Sequence, residues 1–295
     1  MVQMARQELP VATGDEPFSR LVFPEAIRDL PERVRLAIAP PAFGLRNVIP
    51  FCLKIEMLLE SLGISTLLQE QPALRKAARG NVPVFVVDGL TTTTSESINA
   101  HLDVWTAGRI LNGLSEEERT RGTALSRLTE DHLNWALEAS RWLDPQWRPH
   151  AVASLFNTVP RLFRPAAGAL FFRQMKKALI SHGVGRHGIE EQRGFAIRQL
   201  SELNAAVKGS DFLFGGKPTV YDFTIASHMA CIYHNQPATW LTNEALLFAE
   251  LFQYTSRVEA AVGVYAAQRP EPRPKTKGCR TGCLRQYQAS INPKK

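Results

Sequence analysis

Residues 33–63 read RVRLAIAPPAFGLRNVIPFCLKIEMLLESLG. Three patterns follow one another here. Arg33–Ala39 alternates polar and apolar side chains, which predicts a strand. Pro40–Ile49 is a Pro- and Gly-containing loop. Pro50 suits the first turn of a helix. Phe51, Ile55, Leu58, Leu59 and Leu62 then share one helical face, so Phe51–Leu62 reads as a helix that Gly63 ends.

Outward from this unit the chain continues as α/β. Ser65–Leu68 is a short apolar strand candidate and Ala73–Ala78 a helix. Pro83–Val87 (PVFVV) is a strong strand, ended by the turn pair Asp88-Gly89. A short strand at Thr91–Thr93 and a helix from Glu96 to Leu102 follow. The order is β-α-β-α-β-β-α. From Ser115 to Ala267 the periodicity is almost all helical, with breaks at Pro145, Pro149, Pro160, Pro165, Gly183–Gly188 and Gly215-Gly216. No internal repeat is visible. Four segments are expected: an N-terminal extension over 1–32 with one short helix near Glu25–Leu30, an α/β domain over 33–106, an all-helical domain over 107–268, and a tail over 269–295.

Composition narrows the class. The chain has 295 residues, 44% of them hydrophobic and 21% charged, which excludes wholesale disorder and collagen-like repetition. No run approaches the ~18 apolar residues of a spanning helix. The first residues carry Glu8, Asp15 and Glu16 and no apolar core, so they do not read as a secretory signal. Four cysteines are too few for a disulfide framework, and a cytoplasmic, reducing location is the expectation. The net charge of +7 is confined to the tail: residues 269–295 hold eight basic side chains and one acid, 8 − 1 = +7. The remainder is neutral, so specific nucleic-acid binding is not expected.

Few side chains carry chemistry. Cys52 lies one turn into the helix that starts at Pro50, where a thiolate would gain from the helix dipole. Burial beneath the sheet is the commoner fate of such a cysteine. Thr94-Ser95-Glu96-Ser97 is a helix start whose hydroxyls cap, and whose free N–H groups suit a carboxylate. Thr219-Val220-Tyr221-Asp222 is a capping box with Asp at its fourth position, read as structural. Two decoys are set aside. Gly183–Gly188 matches G-x-G-x-x-G but follows a helix, not a strand. His228, Cys231 and His234 lie about 120° apart at their ends around a helix and lack a second ligand group, so no metal is expected.

Three segments resemble the glutathione S-transferase superfamily, in its failed-axon-connections and metaxin-like branch. Residues 48–62 (VIPFCLKIEMLLESL) resemble that branch's S-P-F-C-L-K-x-E helix. Residues 115–143 (SEEERTRGTALSRLTEDHLNWALEASRWL) resemble its first C-terminal helices. Residues 182–229 resemble its G-x-G-R-H linker and G-x-x-P-T-x-x-D helix start. The resemblance implies a thioredoxin-like N-terminal domain, an all-α C-terminal domain and a glutathione site between them. It implies that Val82 pairs its backbone with the cysteinyl part of glutathione, that Pro83 is a cis-proline, and that Thr94 and Ser95 hold the γ-glutamyl end.

The sequence departs from that pattern at Ile49, which stands where a catalytic Ser or Cys is usual and can neither donate to a thiolate nor attack. Thr94 likewise replaces a common acidic partner. Asn47, Arg46 and Cys52 are the candidates to supply thiol activation, Asn47 first because a side-chain amide can donate from the loop. Two functions follow. One is a glutathione-dependent transferase, lyase or isomerase acting on a small-molecule electrophile. The other is a non-catalytic, metaxin-like sorting or membrane-surface protein, for which residues 141–188 offer eight basic side chains and one acid, interleaved with aromatics. A homodimer is compatible with either.

Overall fold

The computed structural model describes residues 34–70, 83–87, 90–92, 94–156 and 159–267. The expected helices at Glu25–Leu30 and Ala73–Ala78, and the tail, lie outside these. A four-stranded sheet of order β2-β1-β3-β4 is formed by β1 (Val34–Ile38), β2 (Leu67–Glu70), β3 (Val84–Val87) and β4 (Leu90–Thr92). β1 pairs in parallel with β2 (Arg35 opposite Leu67) and antiparallel with β3 (Leu36 opposite Phe85). β3 pairs antiparallel with β4. Helices α1 (Pro50–Ser61) and α2 (Ser95–Trp105) follow β1 and β4.

The strand read in Arg33–Ala39 is β1, and its alternation holds except at Ala37. Val34, Leu36 and Ile38 are buried on one face, and on the other Arg35 faces solvent while the small Ala37 is buried in a strand flanked by β2 and β3. Helix α1 starts at Pro50, as its fixed φ favours, and buries Cys52, Leu53, Ile55, Leu58 and Leu59. It ends in a Schellman turn: Ile64 N–H donates to the Leu59 carbonyl and Gly63 N–H to that of Glu60, with Gly63 at φ 69°.

The helical half comprises α3 (Glu116–Arg127), a π-helical segment (Leu128–Leu133), α4 (Asn134–Trp142), α5 (Arg148–Leu155), a 3-10 turn (Arg161–Phe163), α6 (Arg164–His182), α7 (Ile189–Val207), α8 (Val220–Tyr233), α9 (Trp240–Ala245) and α10 (Ala249–Val262). Pro149 and Pro165, read as breaks, instead sit in the first turns of α5 and α6, where the missing N–H costs nothing. The G-x-G-x-x-G stretch is a 3-10 linker between α6 and α7.

Helix α8 is the centre of the molecule and has no exposed residue. Asp222 anchors its start: its carboxylate accepts from Thr219 N–H at 2.7 Å, Leu213 N–H at 2.8 Å and the Tyr254 hydroxyl at 2.6 Å. α8 packs on both α1 and α10, so one apolar core runs through both halves. A buried ion pair ties the halves together. Lys54 Nζ on α1 donates to Glu130 Oε1 in the π-helical segment at 2.8 Å.

Candidate functional site

The loop between β1 and α1 is held from Ala42 to Ile49. Phe43 (φ 57°) and Gly44 (φ 73°) form a tight turn closed by reciprocal bonds between Ala42 and Leu45. The Phe43 ring packs edge-on against Trp147, centroids 4.5 Å apart, within an aromatic cluster completed by Trp142 and Phe172. Gln236 N–H donates to the Phe43 carbonyl at 2.7 Å, and Arg46 N–H to the Ala266 carbonyl at 2.8 Å. Arg141, fully buried on α4, donates from Nη1 to the Val48 carbonyl and from Nε to Asn235 Oδ1, both at 3.0 Å. The Cys231 thiol on α8 donates to the Asn47 carbonyl at 3.7 Å. Four elements of the helical half therefore hold the backbone that leads into the first turn of α1.

The three residues offered for thiol activation fall in different surroundings. Asn47 is fully buried, and its Oδ1 accepts from Ile49 N–H at 3.1 Å. Cys52 is also fully buried; desolvation pushes its thiol up to about 12, with the neighbouring Asn47 side chain lowering the value only in part. The thiol is protonated at neutral pH and acts as a packing group. Arg46 alone reaches the surface, its side chain 36% exposed and its Nη1 paired with Glu56 Oε1 at 2.6 Å. Burial raises the Glu56 carboxyl despite that pairing.

The residues offered for glutathione come from the start of β3, whose Val84 lies opposite Ala37 near the end of β1, and from the start of α2. Pro83 is buried just before β3, while Val82 and the peptide that joins them lie outside the described residues. Thr94 caps α2: its Oγ1 accepts from Ser97 N–H at 3.1 Å. Ser95 opens the helix, half-buried. Glu96 in the same turn pairs with Arg127 of α3 at 3.0 Å, which bridges the halves at this end. A cleft of about 620 Å³ lies elsewhere, wholly in the helical half, where Trp135 stacks on His182 with centroids 4.0 Å apart. No residue of the β1–α1 loop or of α2 lines it.

His228, Cys231 and His234 have separate partners. His228 Nδ1 bonds the Thr224 carbonyl at 2.8 Å, Cys231 turns to Asn47, and His234 faces Glu259 at 3.7 Å. Arg141, the strongest clamp on the loop, went unrecognised in the sequence. Within Leu137–Trp142 it reads as one more cation on a helix, and nothing local signals burial. The Arg46–Ala266 and Lys54–Glu130 contacts are equally long-range.

A family model described as the glutathione S-transferase N-terminal domain matches residues 50–147. Failed axon connections of Drosophila melanogaster is 26% identical over 188 residues, covering 60% of this chain and 45% of that protein. The chain thus matches less than half the length of that relative. The isoprene-epoxide–glutathione S-transferase of Rhodococcus sp. (strain AD45) is 24% identical over 216 residues, covering 68% and 87%. A glutathione S-transferase from Methylobacterium radiotolerans, solved with glutathione sulfonate, superposes with a TM-score of 0.53 at 15% identity, over 82% of this chain and 99% of that one. A glutathione transferase from Phanerochaete chrysosporium gives 0.56 at 14%, over 78% and 97%.

The thioredoxin-like sheet with its helical partner is the fold of glutathione S-transferases. Residues 50–147 thus match the glutathione S-transferase N-terminal domain family, and the chain is similar in sequence to Failed axon connections and in fold to glutathione S-transferases. No helix among the described residues is long and apolar enough to cross a membrane.

Proposed function

We propose that the protein binds glutathione and directs its thiol at a small electrophile held between the two halves, as a transferase or a lyase/isomerase. The observation that supports this most is the clamped loop at residues 46–49. A backbone held by Arg141, Cys231, Gln236 and Ala266 presents the start of α1 in one geometry, as a preorganised thiolate site needs. In this reading Val82, Pro83, Thr94 and Ser95 hold the tripeptide. Asn47 positions the Ile49 amide instead of touching the sulfur, and Arg46 is the cation beside it. The α1 dipole contributes ~0.3–1 kcal/mol, or up to ~2 when partly buried. Alone that lowers a thiol pKa by roughly one unit at 1.36 kcal/mol per unit.

A small epoxide is the electrophile of choice, since the Rhodococcus relative is named for isoprene epoxide. The sulfur would form a bond to one ring carbon, the C–O bond of that carbon would break, and the oxygen would take a proton. Initial rates of thioether formation from glutathione and a small epoxide test the reading. Asn47→Ala should lower kcat/KM more than about tenfold, a loss of ~1.4 kcal/mol. Cys52→Ala should leave it within about threefold.

The burial of Asn47 and Cys52, with Ile49 between them, favours a second reading: a metaxin-like sorting or membrane-surface protein that keeps the fold without the chemistry. Saturable glutathione binding with no thioether formed from any epoxide would select it.

A further inference from the structure

The stretch Pro145–Ile189 carries Arg148, Arg161, Arg164, Arg173, Lys176, Lys177 and Arg186 and no acidic residue. The structure shows how it is arranged. Trp142, Trp147 and Phe172 turn inward into the aromatic cluster. The 3-10 turn does the opposite: Leu162 is 83% and Phe163 60% exposed, and Leu170 on the next helix is 60% exposed. Along α6, Ala166, Leu170, Arg173, Lys177 and Ile180 are all exposed and follow at steps of four and three residues, which puts them on one face. Gly168, Phe172 and Leu179 occupy the opposite, buried face.

A second cavity adjoins this face. A cleft of about 520 Å³ between α5 and α6 is floored by Val152, Gly168 and Phe172, and Arg148, Arg173 and Lys176 also line it. Gly168 permits the close approach of the helices, since a Cβ there would lie 2.8 Å from a Val152 methyl. The Arg148 guanidinium stands 5.4 Å from the centre of the Phe172 ring. Arg173 belongs both to this face and to the cleft, and the exposed Leu162–Phe163 turn leads directly into the helix that carries them.

We propose that this face docks on an anionic phospholipid membrane, with Leu162 and Phe163 entering the interface and Arg148, Arg173 and Lys176 holding phosphate head groups at the cleft. The charge selects this occupant. A second copy of the same face would bring like charges together, since no carboxylate stands among them. An RNA backbone would satisfy the cations, yet it would leave a leucine and a phenylalanine exposed to no purpose. A bilayer interface takes both components at once, basic groups at the phosphates and aromatic or aliphatic groups just beneath. The proposal does not depend on glutathione.

The test uses the full chain and sedimentation with phosphatidylcholine vesicles, alone or with about 30% phosphatidylserine. Co-sedimentation with the anionic vesicles only is expected. Leu162→Ser with Phe163→Ser should reduce the partition coefficient at least about tenfold, and so should Arg173→Glu with Lys176→Glu and Lys177→Glu. Both sets lie on the exposed face, and unchanged melting curves will show that the fold is intact. The indole emission of a Phe163→Trp variant should shift to the blue on adding anionic vesicles. The tail is also basic, so the control reverses Arg273, Lys275 and Lys277 to glutamate; binding should persist. The proposal fails if the apolar double variant binds as well as wild type. It also fails if the tail variant alone loses binding, or if polyuridylate binds equally well while the emission of the Phe163→Trp variant stays unshifted on vesicles.

Discussion

The guanidinium of Arg141 reaches from α4 to the carbonyl of Val48, 3.0 Å away and two residues before the Pro50 that opens α1. The same group bonds Asn235 Oδ1 and the Cys231 carbonyl and is wholly buried, which lowers its pKa through desolvation. Removing it would strand two buried acceptors, Asn235 Oδ1 and the Cys231 carbonyl, and the partly buried Val48 carbonyl.

Arg141→Met should therefore destabilise the fold by about 3 kcal/mol or more, given ~1–3 kcal/mol for each buried polar group left unpaired. Arg141→Lys should recover little, because an ammonium cannot span the three acceptors of a planar fork. Urea denaturation at constant m-value measures both. A loss below about 1 kcal/mol for Arg141→Met would show that the clamp is not structural.

Acid should act through His228. Its ring is buried against Phe51, and burial pushes its pKa down to about 4 in spite of Glu130 and the Thr224 carbonyl, which raise it, while Lys54 lowers it further. An unfolded histidine titrates near 6.5. Between those values the unfolded chain binds a proton that the folded one refuses. The stability due to neutral His228 is full above about pH 6.5 and is lost as pH falls toward 4, by about 3 kcal/mol in all. Denaturant midpoints measured across this window should fall less steeply in His228→Gln. Parallel slopes would mean that other groups drive the acid response.

The two described cysteines should be inert. Cys52 and Cys231 are buried with thiols pushed up to about 12. In a Cys279→Ser, Cys283→Ser background, a thiol reagent such as dithionitrobenzoate should react at neutral pH only as fast as the chain opens. Rapid native-state reaction at Cys52 would reverse the assignment of that residue as a packing group.

Local signals in the sequence carried most of the fold. Pro50 and Gly63 delimit α1 because one tolerates the first turn and the other a positive φ, and both properties are visible in the residue itself. Thr94 and the Thr219–Asp222 box are legible for the same reason. The β1 pattern was legible as a strand too, departing from strict alternation only at Ala37, whose small side chain is buried. The site was less legible. Arg46, Asn47 and Cys52 lie within seven residues of one another, but their surroundings include Arg141, Glu56 and Ala266, which come from α4, α1 and the segment after α10. Nothing in the loop announces those partners. The exposure of Leu162 and Phe163 was hidden for the converse reason, because Trp142, Trp147 and Phe172 nearby have similar side chains and are buried.

Isothermal titration of the full chain with glutathione tests the central claim most directly. Saturable binding is expected, weakened in Ser95→Ala by the ~1.5–3 kcal/mol of a hydrogen bond to a charged group. A folded protein that gives no binding heat at millimolar glutathione, where a Kd of 1 mM corresponds to about −4.1 kcal/mol, would contradict it.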